Sequence, residues 1–231
     1  MADRSFLDWP FFETRHRELS AALEEWCAGH LPVDHGDVDA ACRGLVAALG
    51  SAGFLRHSGA AEDERLDVRS LCLIRETLAR HDALADFAFA MQGLGMGAVS
   101  LFGTPDQREW LEKTRAGRAI SAFALTEPDS GSDVANTATL AERVDGGWRL
   151  TGEKTYISNG GIADLYVIFA RTGEAPGARD TEAEPVIARA IRVLAADDHP
   201  TNRRVIELIL AQAPVEIVLV GKYTALQDSY M

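Results

Sequence analysis

Apolar residues recur at three- and four-residue steps through about the first 115 residues, which is the spacing of one buried helix face. This pattern predicts helices over 12–28, 37–54 and 68–80, and an apolar, buried segment over 82–92. The sequence TPDQ from Thr104 adds a helix start, because threonine can cap a helix, proline fits the first turn and glutamine can bond back to the cap.

The pattern changes near Ala119, where short apolar runs replace the helical spacing. Strands are predicted over the ranges 120–126, 137–144, 148–158 and 164–171, with a glycine turn at 145–147 that makes a hairpin of the middle two. Helices followed by a block of strands indicate an α+β chain. We therefore expect an N-terminal all-helical domain, then a partial antiparallel β middle domain, then a short βαβ-like tail.

The tail follows a polar stretch at 172–185 that is rich in Gly, Pro and Glu. An apolar strand at 190–196, a helix at 201–212 and a second apolar strand at 215–220 are predicted there. The βαβ order predicts that these two strands are parallel. The expected organisation is a helical domain at 1–118, a middle β domain at 119–179, a linker at 180–189 and a βαβ segment at 190–231.

Composition and charge exclude several classes of protein. With 47% apolar and 25% charged residues among 231, the chain has the balance of a soluble globular protein. No apolar run approaches the roughly 20 residues of a membrane span, and the N-terminus lacks an apolar signal core, so we expect a cytoplasmic protein. A net charge of −12 argues against a nucleic-acid partner.

Candidate chemistry begins where the strand predicted to end at Thr126 enters a turn of small polar residues. Gly131 would let the backbone approach a ligand closely, and Ser132 offers a hydroxyl and an N–H to a phosphate oxygen. Taken alone, this turn fits an ordinary strand exit as well as it fits a ligand loop.

A second segment, GEKTYISNGG from Gly152 to Gly161, favours the ligand interpretation. Tyr156 and Ser158 are two residues apart on a predicted strand and would therefore point to the same face. An aromatic ring at that place can pack against a flat cofactor while a hydroxyl meets the polar edge of the cofactor.

The two segments together resemble the middle domain of acyl-CoA dehydrogenases. The resemblance is carried by ALTEP from Ala124, GSD from Gly131, GEK from Gly152 and ISNGG from Ile157. The preceding GTPDQREW from Gly103 looks like the helix that leads into that domain, and the similarity spans roughly residues 1–179.

This resemblance implies FAD-dependent α,β-dehydrogenation of an acyl-CoA thioester, with FAD held between the middle domain and a C-terminal helical bundle. It also implies an electron-transfer flavoprotein or a similar acceptor as partner, and a homo-oligomer as the assembly. The cofactor contacts it assigns are Phe123, Leu125, Thr126, Ser132, Tyr156 and Ser158.

Particular residues match the pattern of the family with some departures. Ser132 matches the position that also meets the substrate thioester. Tyr156 stands where the family often has tryptophan, and Ser158 where it has threonine, so that an aromatic ring and a hydroxyl are kept. Glu127 and Asp133 also match, and we expect both to stabilise the turn.

After Arg179 the sequence no longer resembles this family, and the glutamate base has no matching position, so the catalytic residue is unknown. Residues 190–230 resemble the start of a response-regulator receiver domain, in which an acidic pair binds Mg²⁺. Asp197 and Asp198 match that pair. They would be metal ligands only in a receiver-like fold, and two acids that cap a strand-to-helix loop are the alternative.

We therefore expect a truncated flavoprotein of the acyl-CoA dehydrogenase type whose catalytic competence is open. A non-catalytic remnant or binding module of the same family is the first alternative, and a receiver-type signalling fragment is the second.

Overall fold

The computed structural model describes residues 3–61, 64–145, 147–172, 186–189 and 216–219. The helices are α1 (Thr14–His30), α2 (Val38–Ser51), α3 (Val68–His81), α4 (Ala83–Phe102) and α5 (Pro105–Arg115). The strands are β1 (Ser121–Ala124), β2 (Leu140–Val144), β3 (Gly147–Thr151), β4 (Leu165–Ile168), β5 (Val186–Arg189) and β6 (Glu216–Leu219). Short 3-10 helices lie at Ser5–Asp8, Phe54–Ser58 and Val134–Asn136.

Helix α4 is the centre of the helical domain and contacts α2, α3, α5 and β1. It spans 20 residues. Among the residues that the structure describes, it is the one helix that is long and apolar enough to cross a membrane. Its buried side chains include Phe89, Met96 and Val99, which pack into the two main hydrophobic clusters of the protein. These contacts are those of a core helix.

The helices predicted in the first 115 residues are confirmed, but α4 continues from the predicted end of the apolar segment at residue 92 to Phe102. Three glycines at 93, 95 and 97 argue against a helix there, because glycine has low helix propensity. Packing requires glycine at position 95, because a Cβ atom there would lie 2.5 Å from the Cβ of Ser121 in β1. Tertiary contact therefore overrides local propensity.

The same close approach ties α4 to the first strand through a buried glutamine. Gln92 donates from Nε2 to the carbonyl of Ala88 at 3.2 Å, which fixes its side chain on the helix. Its Oε1 then accepts hydrogen bonds from the backbone N–H of Ser121 at 2.9 Å and from the Ser121 hydroxyl at 3.2 Å. Strand β1 is thus held in place by the helical domain.

Helix α5 begins with the predicted reciprocal cap. The Thr104 hydroxyl accepts from the N–H of Gln107 at 3.4 Å, and Gln107 Oε1 accepts from the N–H of Thr104 at 2.8 Å. Proline at the first helical position completes the start.

Replacing Thr104 with alanine is expected to lower the free energy of unfolding by about 1 kcal/mol, because one N–H at the start of α5 loses its acceptor. Urea denaturation followed by circular dichroism measures this change. Thr104→Ser keeps the hydroxyl and, because serine is at least as good an N-cap as threonine, should stay within a few tenths of a kcal/mol of the wild type. An equal loss in both variants would show that the hydroxyl is not the source of the effect.

The strands form a four-stranded sheet in the order β1-β4-β6-β5 and a separate hairpin of β2 and β3. Strands β1 and β4 are parallel, with Ser121 opposite Leu165 and Ala124 opposite Ile168. Strand β4 is also parallel to β6, whereas the β5–β6 and β2–β3 pairs are antiparallel. The α+β class is confirmed, and the β region mixes parallel and antiparallel pairs.

Two of the predicted strands end or pair differently from expectation. Strand β3 ends at Thr151, so the prediction of one strand over 148–158 is wrong beyond that residue. In the tail, β6 lies within the predicted strand 215–220, but its partners are β4 and β5. Strand β5 falls in the last four residues of the predicted linker.

The rest of the tail lies outside the described residues. This applies to the predicted strand at 190–196, to the predicted helix at 201–212, and to Asp197 and Asp198. The receiver resemblance and the domain boundaries stay predictions.

Candidate functional site

The site predicted from the sequence lies around the carboxyl end of β1. The ring of Phe123 packs against that of Phe169, which follows β4, with 4.8 Å between centroids. Leu125 and Thr126 are half-buried just beyond β1. The carbonyl of Thr126 accepts a hydrogen bond from the N–H of Thr155 at 2.9 Å, so the loop after β3 crosses this end of the strand.

The turn that follows is closed by two backbone hydrogen bonds between Glu127 and Ser130, at 2.9 and 3.2 Å. The Ser130 hydroxyl donates to the carbonyl of Asp133 at 2.7 Å and fixes the next residues. Gly131 and Ser132 are exposed at the tip, and a Cβ atom at Gly131 would meet no atom within 4 Å. The tip therefore presents backbone and a hydroxyl to open space.

The Glu127 carboxylate is the buried anchor of this turn. It accepts from the N–H groups of Ala138 at 2.6 Å and Thr139 at 2.9 Å, from the Thr139 hydroxyl, and from Lys154 Nζ at 2.7 Å. Burial by itself would raise the pKa of Glu127, but the bonds from Lys154, Thr139 and Ala138 outweigh it and lower the pKa to about 2.

The expected turn-stabilising role of Glu127 is therefore confirmed. Asp133 takes part in the turn through its backbone carbonyl, while its side chain is exposed.

Tyr156 and Ser158 lie in a loop between β3 and β4, so the prediction that a strand aligns them on one face is wrong. Tyr156 has φ 55°, in the left-handed region, and its side chain is 91% exposed. Ser158 is half-buried. The residue directly after β3 is Gly152, where a Cβ atom would lie 2.6 Å from the Cα of Thr139, so a side chain does not fit there.

This loop is held by hydrogen bonds along its length. Asn159, at φ 63°, donates from Nδ2 to the carbonyl of Ser121 at 3.1 Å, and its own carbonyl accepts from the N–H groups of Ile162 and Ala163 at 2.9 Å. The Tyr166 hydroxyl donates to the carbonyl of Gly160. Left-handed backbone at non-glycine residues persists where the surroundings determine it in this way.

Lys154 and Asn159 belong to the second sequence motif, and the structure gives each of them a role. Lys154 Nζ reaches back to the carbonyl of Leu125 at 3.0 Å and to Glu127, and burial lowers the pKa of this lysine while the carboxylate opposes that change. For Asn159 a usable signal existed, because an Asn-Gly pair tolerates left-handed backbone.

Of the six predicted cofactor contacts, the structure brings Leu125 and Thr126 against the segment that leads into Tyr156. Among the described residues, no hydrogen bond links Ser132 to Ser158. The cofactor role of each residue stays a prediction. The described part of the chain contains no cluster of three or more His, Cys, Asp or Glu side chains able to hold a metal ion.

Comparison with known proteins agrees with this arrangement. The family model for the acyl-CoA dehydrogenase N-terminal domain matches residues 13–118, and that for the middle domain matches residues 122–205. The second match extends beyond Arg179, where the motif resemblance ended. The chain belongs to the acyl-CoA dehydrogenase family.

Two curated relatives and one solved structure place the chain within this family. Benzylmalonyl-CoA dehydrogenase of Aromatoleum aromaticum is 37% identical over 136 residues, covering 57% of this chain and 36% of that protein. The short-chain-specific acyl-CoA dehydrogenase of Megasphaera elsdenii is 38% identical over 136 residues, covering 58% and 36%. An acyl-CoA dehydrogenase from Bacillus anthracis complexed with FAD has a TM-score of 0.62 at 27% identity, covering 74% and 33%.

The matched region thus spans little more than a third of the length of the curated relatives.

Proposed function

We propose that this chain binds FAD and takes part in the α,β-dehydrogenation of an acyl-CoA thioester. The observation that carries the proposal is the loop from Gly152 to Gly161, which is hydrogen-bonded to the residues just after β1 and to Ser121 at the start of β1 while the Tyr156 ring stays exposed. Left-handed backbone at non-glycine residues is concentrated at ligand-binding sites, and the exposed Tyr156 ring on such backbone is suited to contact a ligand.

The residues present fit a flavin dinucleotide. The open tip at Gly131 and Ser132 offers a hydroxyl and two backbone N–H groups that make no hydrogen bond within the described residues, which suits phosphate oxygens. The Tyr156 ring offers a flat apolar surface. Lys154 neutralises Glu127, so the buried carboxylate beside the turn does not repel an anion.

Bound FAD would supply the hydride acceptor for the dehydrogenation. Ser132 would bind the pyrophosphate and orient the thioester, the Tyr156 ring would pack against the flavin, and the Ser158 hydroxyl would meet its polar edge. Phe123, Leu125 and Thr126 would line the flavin ring at the end of β1. No carboxylate among the described residues is assigned as the base that removes the α-proton.

The family membership supports three further proposals about the whole protein. The substrate is an acyl-CoA, an electron-transfer flavoprotein or a similar acceptor reoxidises the flavin, and the protein forms a homo-oligomer. A cytoplasmic location is proposed from the sequence.

The test uses the purified full chain, loaded with FAD and freed of excess cofactor. We expect it to retain flavin with a defined Kd and quenched flavin fluorescence. Tyr156→Ala should weaken FAD binding by about tenfold, since the loss of a stacked aromatic ring corresponds to about 1 kcal/mol beyond the area it buries.

Phe11→Ala is the matched control, because Phe11 is an exposed aromatic residue on the N-terminal segment, outside the candidate site. Its FAD affinity should equal that of the wild type. A wild-type chain that binds no FAD at saturating concentration would refute the proposal. Anaerobic reduction of the bound flavin by a panel of acyl-CoA thioesters then separates a competent dehydrogenase from a flavin-binding protein without turnover.

A further inference from the structure

We propose that the buried ion pair between Lys154 and Glu127 is a positioning device that holds the Tyr156–Ser158 segment opposite the end of β1 and so shapes the flavin site. The inference rests on the proposed function and assigns a role to two residues that would not themselves touch the flavin.

The pair is almost fully removed from solvent. The side chain of Lys154 is 10% exposed and that of Glu127 is 4% exposed, with 2.7 Å between Nζ and Oε1. Exposed ion pairs contribute little to structure, because water screens them and their long side chains lose entropy. A buried pair fixes geometry more firmly, since separating its charges leaves each of them unsolvated.

The ion pair joins three separate stretches of chain. Lys154 Nζ bonds both Glu127 and the carbonyl of Leu125, at 3.0 Å for the latter, so the lysine ties its loop to the exit of β1. The Glu127 carboxylate also binds the N–H groups of Ala138 and Thr139 at the start of the hairpin. The loop is therefore tied directly to the exit of β1 and, through Glu127, to the start of the hairpin.

The anchor lies directly before the predicted flavin contacts. The N–H of Thr155, next to Lys154, donates to the carbonyl of Thr126 at 2.9 Å. Tyr156 follows at once with its left-handed backbone and exposed ring. Without the Lys154 ammonium group, the segment would lose the side-chain contact that holds Tyr156 next to Leu125 and Thr126.

Lys154→Met tests this role, because methionine keeps most of the apolar stem and removes the ammonium group. We expect the Kd for FAD to rise by about tenfold or more, as a charge-assisted hydrogen bond that orders the site is lost. In the chain without FAD, hydrogen exchange of the Thr155 amide should accelerate by about tenfold. A residue needed only for global stability would not change the exchange of this one segment at temperatures far below unfolding.

Lys154→Met leaves the Glu127 charge buried and unpaired, so this variant could fail to fold. The double variant Glu127→Gln, Lys154→Met removes both charges and keeps an acceptor for Thr139. We expect it to fold, with weak FAD binding and fast exchange at Thr155.

Lys113→Met is the matched control. Lys113 is a partly buried lysine on α5 that lies 4.2 Å from the centre of the Trp110 ring, away from the loop. Its FAD affinity and its exchange at Thr155 should equal those of the wild type.

The outcomes separate this inference from the proposed function. If the wild type binds FAD and the folded double variant binds it equally well, the positioning role is refuted and the proposed function stands. If the wild type binds no FAD, the proposed function falls, and the positioning role falls with it. Unchanged exchange at Thr155 in the double variant would refute the anchoring contact itself.

Discussion

The variant Glu127→Ala is expected to lose about 4 kcal/mol of its free energy of unfolding, because breaking a buried ion pair by removing one partner is strongly destabilising. The change leaves the Lys154 ammonium buried without its carboxylate and leaves two backbone N–H groups, of Ala138 and Thr139, without an acceptor. Such orphaned buried donors cost more than the hydrogen bonds themselves contribute. Urea denaturation monitored by circular dichroism measures the loss.

Glu142→Ala is the matched control for this prediction. Glu142 also pairs with a cation, Arg149 across the β2–β3 hairpin at 2.8 Å, but both side chains are largely exposed. An exposed pair contributes at most about 1 kcal/mol, so this variant should stay close to the wild type. Equal losses in Glu127→Ala and Glu142→Ala would contradict the burial argument.

Acid should reproduce part of the Glu127 effect. The pKa of Glu127 is lowered from 4.5 to about 2 in the folded protein, so the unfolded chain takes up the proton at higher pH than the folded chain does. The stabilisation is therefore complete well above pH 4.5 and is lost progressively as the pH falls from about 4.5 to about 2. Its size is on the order of 3 kcal/mol, and the Glu127→Gln variant should lack this part of the acid dependence.

The second large effect is expected from Gly95→Ala. A Cβ atom at residue 95 would lie 2.5 Å from the Cβ and 3.2 Å from the carbonyl carbon of Ser121, so α4 and β1 must move apart. Overpacking of this kind costs about 3 kcal/mol. The shift would also lengthen the bonds from Ser121 to Gln92, so that we expect lower stability together with weaker FAD binding.

Gly97→Ala on the same helix provides the control, since no atom lies within 4 Å of the Cβ position at residue 97. Alanine is favoured over glycine within a helix, so this variant should gain roughly 0.5 to 1 kcal/mol. Thermal unfolding of both variants gives the sign of each effect. Two changes of the same sign would show that the α4–β1 contact does not decide the outcome.

Much of the helical domain follows from the sequence, because its signals are local. The helix periodicity located α1, α2 and α3, and the reciprocal cap at Thr104 located the start of α5. The end of α4 was missed because the reason for its glycines is a contact with Ser121, which is distant in the sequence. Strand partners were missed for the same reason, since the pairing of β4 with β6 depends on the whole sheet.

The sequence motifs identified the segments that form the candidate site, but not their geometry. The turn at Gly131 and Ser132 and the loop with Tyr156 were both found, yet Tyr156 was placed on a strand. The alternation of apolar and polar residues along the sequence does not show that the Lys154 side chain is buried and bonds the Glu127 carboxylate. The ion pair is a property of the folded chain, and the sequence offered only the two charges.

The position of β4 between β1 and β6 has a consequence for the order of folding. Helices α1 to α5 and the β2–β3 hairpin close short loops, whereas Leu165 of β4 pairs with Glu216 of β6 across about fifty residues of chain. Contacts of such long sequence separation form late and slowly. Until β6 arrives, one side of β4 exposes unpaired backbone groups, and nascent chains can join to one another through that edge.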